Sequence, residues 1–189
     1  MGRTSKIVAA MAVAAAMALS GCAQGAGSPG AAAVVDGVSI SEHDVSLTTD
    51  TVVRLLEESG LGEPVEHLRS VVVTWIVQSQ IAHAVERQFG VELTEAERET
   101  MAQGQVDIEL MLSDPLTRDM VMGPVDLSLF QVMVQNGLFP ASADQLSEFI
   151  VGIPVQVSPR YGVWVAQELS VSGMSGQITG SLSEPVTAV

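Results

Sequence analysis

Cysteine is almost absent from this chain, which has 189 residues and a single cysteine, Cys22. One thiol can form neither a disulfide within the chain nor a cysteine cage for zinc. Lysine is equally scarce, since Lys6 is the only one. The 8 basic residues face 22 acidic ones, which gives a formal net charge of −14. A charge of this sign repels the phosphates of nucleic acid, so we predict no nucleic-acid partner.

The chain also lacks an apolar run long enough to cross a bilayer, which needs about 20 residues. The uncharged stretch 70–85 favours a core helix over a membrane span, because polar residues interrupt it. The apolar run 7–19 is shorter and follows Arg3 and Lys6. A basic start followed by a short apolar run is typical of a secretory signal peptide.

The residues after this run, Leu19, Ser20, Gly21 and Cys22, resemble the lipobox of bacterial lipoproteins. We therefore predict a lipoprotein-type signal peptide over 1–21 and lipidation of Cys22. The alternative is an ordinary signal peptide with an unmodified thiol. Two acyl chains anchor a protein stably, so the predicted location is the extracytoplasmic face of the cell membrane. Cleavage would remove two basic residues and bring the formal charge to −16.

Composition divides the remaining chain into three parts. Residues 22–31 hold the lipidated cysteine and a flexible tether of small residues. Residues 32–166 contain the periodic apolar patterns and predict one domain. Residues 167–189 are rich in serine and glycine without periodicity, which predicts a disordered tail.

The longest helical pattern runs from Pro64 to Phe89 and predicts the core helix of the fold. Pro64 suits the first turn, where its missing N–H would be unpaired anyway. Gly90 suits the left-handed residue after the last turn. A helix with apolar residues over much of its surface is covered on several sides, so we expect shorter helices around it. Two apolar stripes follow it: Leu68, Val72, Trp75 and Ile76 on one, and Val73, Val77, Ile81 and Val85 on the other.

Capping signals predict the shorter helices. Ser41 can cap a first helix, and the segments 94–97 and 142–145 have the capping-box pattern. Asp114-Pro115 and Gly123-Pro124 interrupt the apolar pattern and predict helix ends. The predicted helices run from 42 to about 60, from 95 to about 112, from 116 to 122, from 125 to 135 and from 143 to 150.

Two segments at opposite ends of the helical region have the character of strands. Ala32–Ile40 is broken by Asp36-Gly37, a pair typical of a turn or bulge. Residues 154–166 alternate around Pro159, which suits an edge strand. Because an isolated strand leaves backbone groups unpaired, we predict that these two strands pair. The predicted fold is therefore mainly α, built on one long core helix and closed by a two-stranded β clasp.

Three motifs resemble the SurA N-terminal chaperone domain. The segment 76–97 resembles the end of that domain's long helix and the turn after it. The segment 35–40, with Asp44, resembles its first strand. The segment 157–164, Val-Ser-Pro-Arg-Tyr-Gly-Val-Trp, resembles its last strand and is the most specific of the three. With the lipobox, the chain resembles the SurA-like lipoproteins of actinobacteria over residues 32–166.

The resemblance implies a strand arrangement and a set of clasp residues. In that family the last strand returns to pair with the first. Tyr161 is expected to hold the clasp by packing, and Arg160 by pairing with an acid. The clasp residues are Val35, Gly37, Pro159, Arg160, Tyr161, Gly162 and Trp164.

The resemblance also implies a function. SurA binds unfolded outer-membrane proteins in transit and often carries prolyl isomerase modules of the parvulin type. Such a module needs far more than the 25 residues that follow Trp164, so we expect no enzyme activity. The prediction is a lipid-anchored, chaperone-like binder of unfolded exported polypeptides. The alternative is an accessory lipoprotein that holds one envelope partner, and a prolyl isomerase is a distant third.

Other candidate site residues have ordinary structural explanations. Five methionines lie within 101–133, where flexible side chains suit either a groove for varied apolar partners or an irregular core. His83 with Glu86, and His67 with Glu63, are spaced to share a helix face. A metal site needs three or four converging ligands, so no metal or other cofactor is predicted. The sequence singles out no catalytic or client-binding residues.

Overall fold

A computed structural model describes residues 30–61 and 65–172. The predicted signal peptide, Cys22 and residues 173–189 lie outside the described residues, as does Pro64. The described chain is mainly helical with two small antiparallel sheets. In chain order the elements are β1 (Ala31–Val35), β2 (Val38–Ser41), α1 (Glu42–Glu58), α2 (Val65–Phe89), α3 (Glu95–Ala102), α4 (Val106–Leu112), α5 (Pro115–Gln135), α6 (Ala143–Gly152), β3 (Val155–Val157), β4 (Val163–Val165) and β5 (Ser170–Ser172).

Helix α2 is the predicted core helix, and it ends as expected at Gly90, whose φ is +64°. Most residues of both apolar stripes are buried, while Trp75 and Ile76 are half-buried against the core. Each fully buried Leu, Ile or Val side chain contributes about 1.5–3 kcal/mol relative to an exposed one. No helix in the described part of the chain is long and apolar enough to cross a membrane.

Helix α5 is a second central helix, which corrects the prediction of two separate helices over 116–122 and 125–135. Gly123 and Pro124 lie inside it. A proline within a helix costs about 3 kcal/mol because it lacks an N–H and crowds the preceding turn. Buried residues on both sides of this pair outweigh that cost, so packing overrides the local breaker signal. They include Met120, Val121, Val125, Leu127 and Phe130.

At Gly123, α5 approaches the backbone of α2 closely. A Cβ atom at this position would lie 2.3 Å from the backbone nitrogen of Ser79 and 2.6 Å from its Cα. These are backbone atoms of a buried helix, and they cannot rotate away as a side chain can. Only glycine therefore allows the two long helices to pack at this distance.

The segment predicted as one helix from 95 to about 112 is two helices, α3 and α4. The break falls at Gly104, which has a φ of +83°. The capping signals themselves are confirmed: Thr94 and Ser142 form capping boxes with Glu97 and Gln145, and the Ser41 hydroxyl accepts from an N–H in the first turn of α1.

The sheet confirms the predicted pairing of the first and last strands but contains three strands instead of two. Asp36 and Gly37 have φ values of +49° and +79°, so 31–41 folds into a hairpin. This geometry is typical of the two-residue turns that join antiparallel strands. Strand β3 pairs with β1 on the other side, giving the order β2-β1-β3. Strand β4 does not extend this sheet, because it pairs with β5.

Strand β5 shows that the prediction of a disordered tail from residue 167 is wrong for 167–172. The hairpin of β4 and β5 lies against α2, held by two polar contacts. The Gln78 side chain donates to the carbonyl of Leu169 at 2.8 Å, and the Val171 N–H donates to the Thr74 hydroxyl at 3.1 Å. These contacts explain why polar residues interrupt the apolar surface of α2.

We expect Gly123→Ala to lower the free energy of unfolding by about 2 kcal/mol, because overpacking against fixed backbone typically costs about 1–3 kcal/mol. Gly152→Ala is the matched control, since a Cβ there meets no atom within 4 Å. Alanine is the better helix former, so the control should keep or slightly raise stability. Urea denaturation measures both. Equal stability of the two variants would contradict the close packing of α5 on α2.

Candidate functional site

The predicted clasp residues Arg160 and Tyr161 meet Glu42 at the start of α1. The Tyr161 hydroxyl donates to Glu42 Oε2 at 2.5 Å, and Arg160 Nη1 lies 3.3 Å from the same oxygen. Tyr161 is buried, whereas Arg160 is exposed. A hydrogen bond to a charged group contributes about 1.5–3 kcal/mol. This contact therefore ties the end of the helical domain to its beginning.

Burial raises the pKa of Tyr161 to about 12, and the hydrogen bond and negative charge of Glu42 add to the effect. The positive charges of Arg160 and Arg69 act in the opposite direction. Both main causes favour the neutral phenol, since an ionised one would lose its solvation and repel the carboxylate. The Tyr161 hydroxyl therefore stays protonated and donates its hydrogen bond to Glu42.

The other clasp residues support the sheet and the turns around it. Val35 is buried in β1, and Gly37 completes the hairpin turn. Gly162 has a φ of +123°, and Trp164 lies half-buried in β4. Pro159 is exposed. These residues lie at both ends of the sheet, so the structure does not bring them together as one binding site.

A partly buried ionic cluster, which the sequence analysis missed, joins three helices. Arg98 on α3 donates to both carboxylate oxygens of Asp126 at 2.7 and 3.0 Å, and to Glu86 at 3.0 Å. The hydrogen bond to Asp126 is the main cause that raises the pKa of Arg98. A hydrogen bond to a charged group contributes about 1.5–3 kcal/mol. The three charges satisfy one another, so we assign the cluster to stability.

The five methionines of 101–133 belong to the core. Met111, Met120 and Met122 are buried in it, and the other two described methionines pack against it. This placement favours the alternative of an irregular core over a methionine-lined groove. All three histidines are exposed. Within residues 30–61 and 65–172, no group of three His, Cys, Asp or Glu residues is placed to hold a metal ion.

The phenylalanines do form a cluster, although the chain has only four of them. Phe89 is the last residue of α2, and its ring centroid lies 5.2 Å from that of Phe139 and 5.4 Å from that of Phe149. Phe130 on α5 lies 5.8 Å from Phe139. These tilted and edge-on arrangements are the favourable ones for aromatic pairs. Three helices and one loop therefore converge at the end of α2.

A groove of about 460 Å³ opens above this cluster. Phe89, Phe149 and Ile153 provide its apolar surface. Its polar lining consists of two carboxylates and two carboxamides, and Gly152 leaves room at its side. The lining residues are Asp36, Gln88, Phe89, Gln145, Glu148, Phe149, Gly152, Ile153 and Pro154. Such a lining can hold an apolar side chain by contact and orient a polar neighbour by hydrogen bonds.

Sequence reasoning missed this groove because its residues come from three separated parts of the chain. Phe89 and Phe149 are distant in sequence and belong to no shared periodic pattern. The one available signal was the rarity of phenylalanine, combined with the position of Phe89 immediately before the helix-ending Gly90. Asp36 reaches the groove only because the hairpin turn brings it beside α6.

Comparisons of the chain with models of protein families, with curated proteins and with solved structures found no match. The resemblance to the SurA N-terminal domain is carried by the sequence motifs and stays a prediction. The groove is the described surface on which a functional proposal can be based, because it combines concavity, an aromatic floor and polar groups at its edge.

We expect Tyr161, the only tyrosine, to titrate with a pKa of about 12 in the folded chain. An unperturbed tyrosine titrates near pH 10. Because the folded pKa is the higher one, the contribution of the neutral phenol is complete below pH 10 and is lost as pH rises to about 12. Ultraviolet absorbance of the phenolate measures this titration.

Tyr161→Phe is the control for stability, because it keeps the ring and removes the ionisable group. Between pH 10 and 12 the free energy of unfolding of the unchanged chain should fall as the phenolate forms. The Tyr161→Phe variant should lack this part of the fall. A titration midpoint near pH 10 in the folded chain would contradict the buried contact with Glu42.

Proposed function

We propose that this chain is a lipid-anchored extracytoplasmic protein that binds unfolded or partly folded exported polypeptides without chemical turnover. The observation that carries the proposal is the groove with the aromatic floor. Unfolded chains differ from folded ones chiefly in exposing apolar side chains. A site that accepts such side chains by contact, with few directional requirements, suits clients of many sequences.

The size of the groove supports binding of one or two side chains at a time. Its volume of about 460 Å³ falls in the range of ~300–1,000 Å³ typical of ligand sites. Burying one large apolar side chain contributes about 1.5–3 kcal/mol, which is too little for tight association by itself. A binder of this kind releases its clients readily, as an escort for proteins in transit must.

The strand arrangement supports the proposal that this mainly helical fold is similar to the SurA N-terminal domain. Strand β1 pairs with β3, as the resemblance implies for the first and last strands. The contact of Tyr161 with Glu42 holds this closure from the side opposite the hairpin turn. In this proposal the clasp keeps the helices assembled, and the groove provides the contact surface.

The position of the groove supports a role beside the membrane. The described chain begins at Gly30, so a tether from a lipidated Cys22 would reach at most about 29 Å. Strand β1 then carries the chain a further ~17 Å to Asp36, at the groove. A lipidated Cys22 would therefore hold the groove within about 46 Å of the membrane surface.

The test uses residues 22–189 with Cys22→Ser, which keeps the full mature chain free of lipid. We expect it to suppress aggregation of several unrelated unfolded proteins at near-stoichiometric ratio, and not to accelerate a proline-limited refolding reaction. Gly152→Trp should weaken suppression about tenfold by filling the groove. Since an added Cβ at Gly152 meets no atom within 4 Å, the fold should tolerate the substitution. Light scattering measures suppression, with Gly152→Ala as the matched control.

The outcomes separate the competing functions. Failure to suppress aggregation of any client would overturn the chaperone proposal, and selective binding of a single envelope protein would favour the accessory lipoprotein. Faster refolding would favour an isomerase. Full suppression by Gly152→Trp, with an unchanged melting temperature, would show that clients bind elsewhere.

A further inference from the structure

The charged groups that line the groove are both acidic. Asp36 approaches from the hairpin turn and Glu148 from α6, while the remaining polar lining residues, Gln88 and Gln145, are neutral amides. Both carboxylates are exposed to solvent. The formal charge of −14 places them on a protein that attracts cations from a distance. The apolar floor is therefore bordered by groups that favour a positively charged neighbour.

One internal cation is already placed beside this border, and it is held weakly. Arg87 Nη2 lies 3.9 Å from Asp36 Oδ2, and the two side chains are 62% and 56% exposed. Exposed pairs of this kind typically contribute about 0–1 kcal/mol. An incoming cation can therefore replace Arg87 at Asp36 with little loss.

We propose that the groove selects polypeptide segments in which a large apolar side chain lies two positions from a lysine or arginine. This inference rests on the proposed function and names the class of segment it would accept. The apolar side chain lies on Phe89, Phe149 and Ile153, and the cation lies between Asp36 and Glu148. In an extended segment, side chains two positions apart point to the same face and lie about 7 Å from each other, which suits a floor and its immediate border.

The proposal has a consequence for selectivity among clients. Segments with acidic residues beside the apolar side chain would meet two carboxylates and bind more weakly. Because the charged groups are exposed, added salt should reduce the preference for basic segments. The contact of the apolar side chain with the aromatic floor should persist in high salt.

The experiment uses residues 22–189 with Cys22→Ser and three fluorescent peptides of one sequence. The peptides differ only in whether lysine, glutamine or glutamate flanks a central Leu-Phe pair. We expect the lysine peptide to bind about threefold to tenfold more tightly than the glutamine peptide, and the glutamate peptide to bind most weakly. Fluorescence anisotropy at low and high salt measures the affinities.

Substitutions test whether Asp36 and Glu148 cause the preference for the lysine peptide. Asp36→Asn with Glu148→Gln should bring the lysine peptide to the affinity of the glutamine peptide. Asparagine tolerates the positive φ at position 36, so the turn is kept. Arg87→Gln should tighten lysine-peptide binding about twofold by removing the competing cation. Glu57→Gln, an exposed acid on α1, removes one charge elsewhere and should leave the preference unchanged.

The results distinguish this inference from the proposed function. Equal binding of all three peptides, abolished by Gly152→Trp, would overturn the inference and leave the binding function in place. If none of the three peptides binds, both the inference and the proposed binding function are overturned. A third result is that the double variant, Asp36→Asn with Glu148→Gln, keeps the preference for lysine. This result would show that the cation binds elsewhere and would overturn the inference.

Discussion

The packing of α5 on α2 at Gly123 is the constraint on which the rest of the structure depends. The backbone of Ser79 occupies the space that any side chain at position 123 would need. This contact fixes how the two long helices cross, because packed interiors leave little room for adjustment. It thereby determines where their ends lie: Phe89 closes α2, and Phe130 lies near the end of α5. The aromatic cluster and the groove above it are consequences of this crossing.

The contact that closes the fold and the proposed binding groove lie at opposite ends of the three-stranded sheet. At one end, Tyr161 and Arg160 bind Glu42 and close the fold through residues far apart in the chain. At the other end, the turn at Asp36 reaches the groove beside Phe149. The closing contact is partly buried and made by Tyr161 and Arg160 to one oxygen of Glu42, whereas the groove is open and carries exposed carboxylates. Contacts at one end of β1 therefore stabilise the fold, and residues at the other end line the proposed binding groove.

Local signals in the sequence predicted local structure well. The caps at Thr94 and Ser142 and the left-handed Gly90 have geometries set by a few neighbouring residues, and the structure confirms them. Features set by distant contacts were predicted poorly. Local chemistry marks Pro124 as a helix breaker, and only burial against α2 explains why α5 continues through it. The same holds for strand β5 and for the aromatic groove, whose parts meet only in three dimensions.

In the proposed function, the groove above Phe89 and Phe149 binds apolar segments of unfolded chains. The most direct measurement is the change in backbone amide chemical shifts of isotopically labelled residues 22–189, with Cys22→Ser, on titration with a short apolar peptide. We expect changes concentrated at Gln88, Phe149 and Ile153, with the region around Tyr161 unaffected. Changes centred on the clasp, or no changes at saturating peptide, would contradict it.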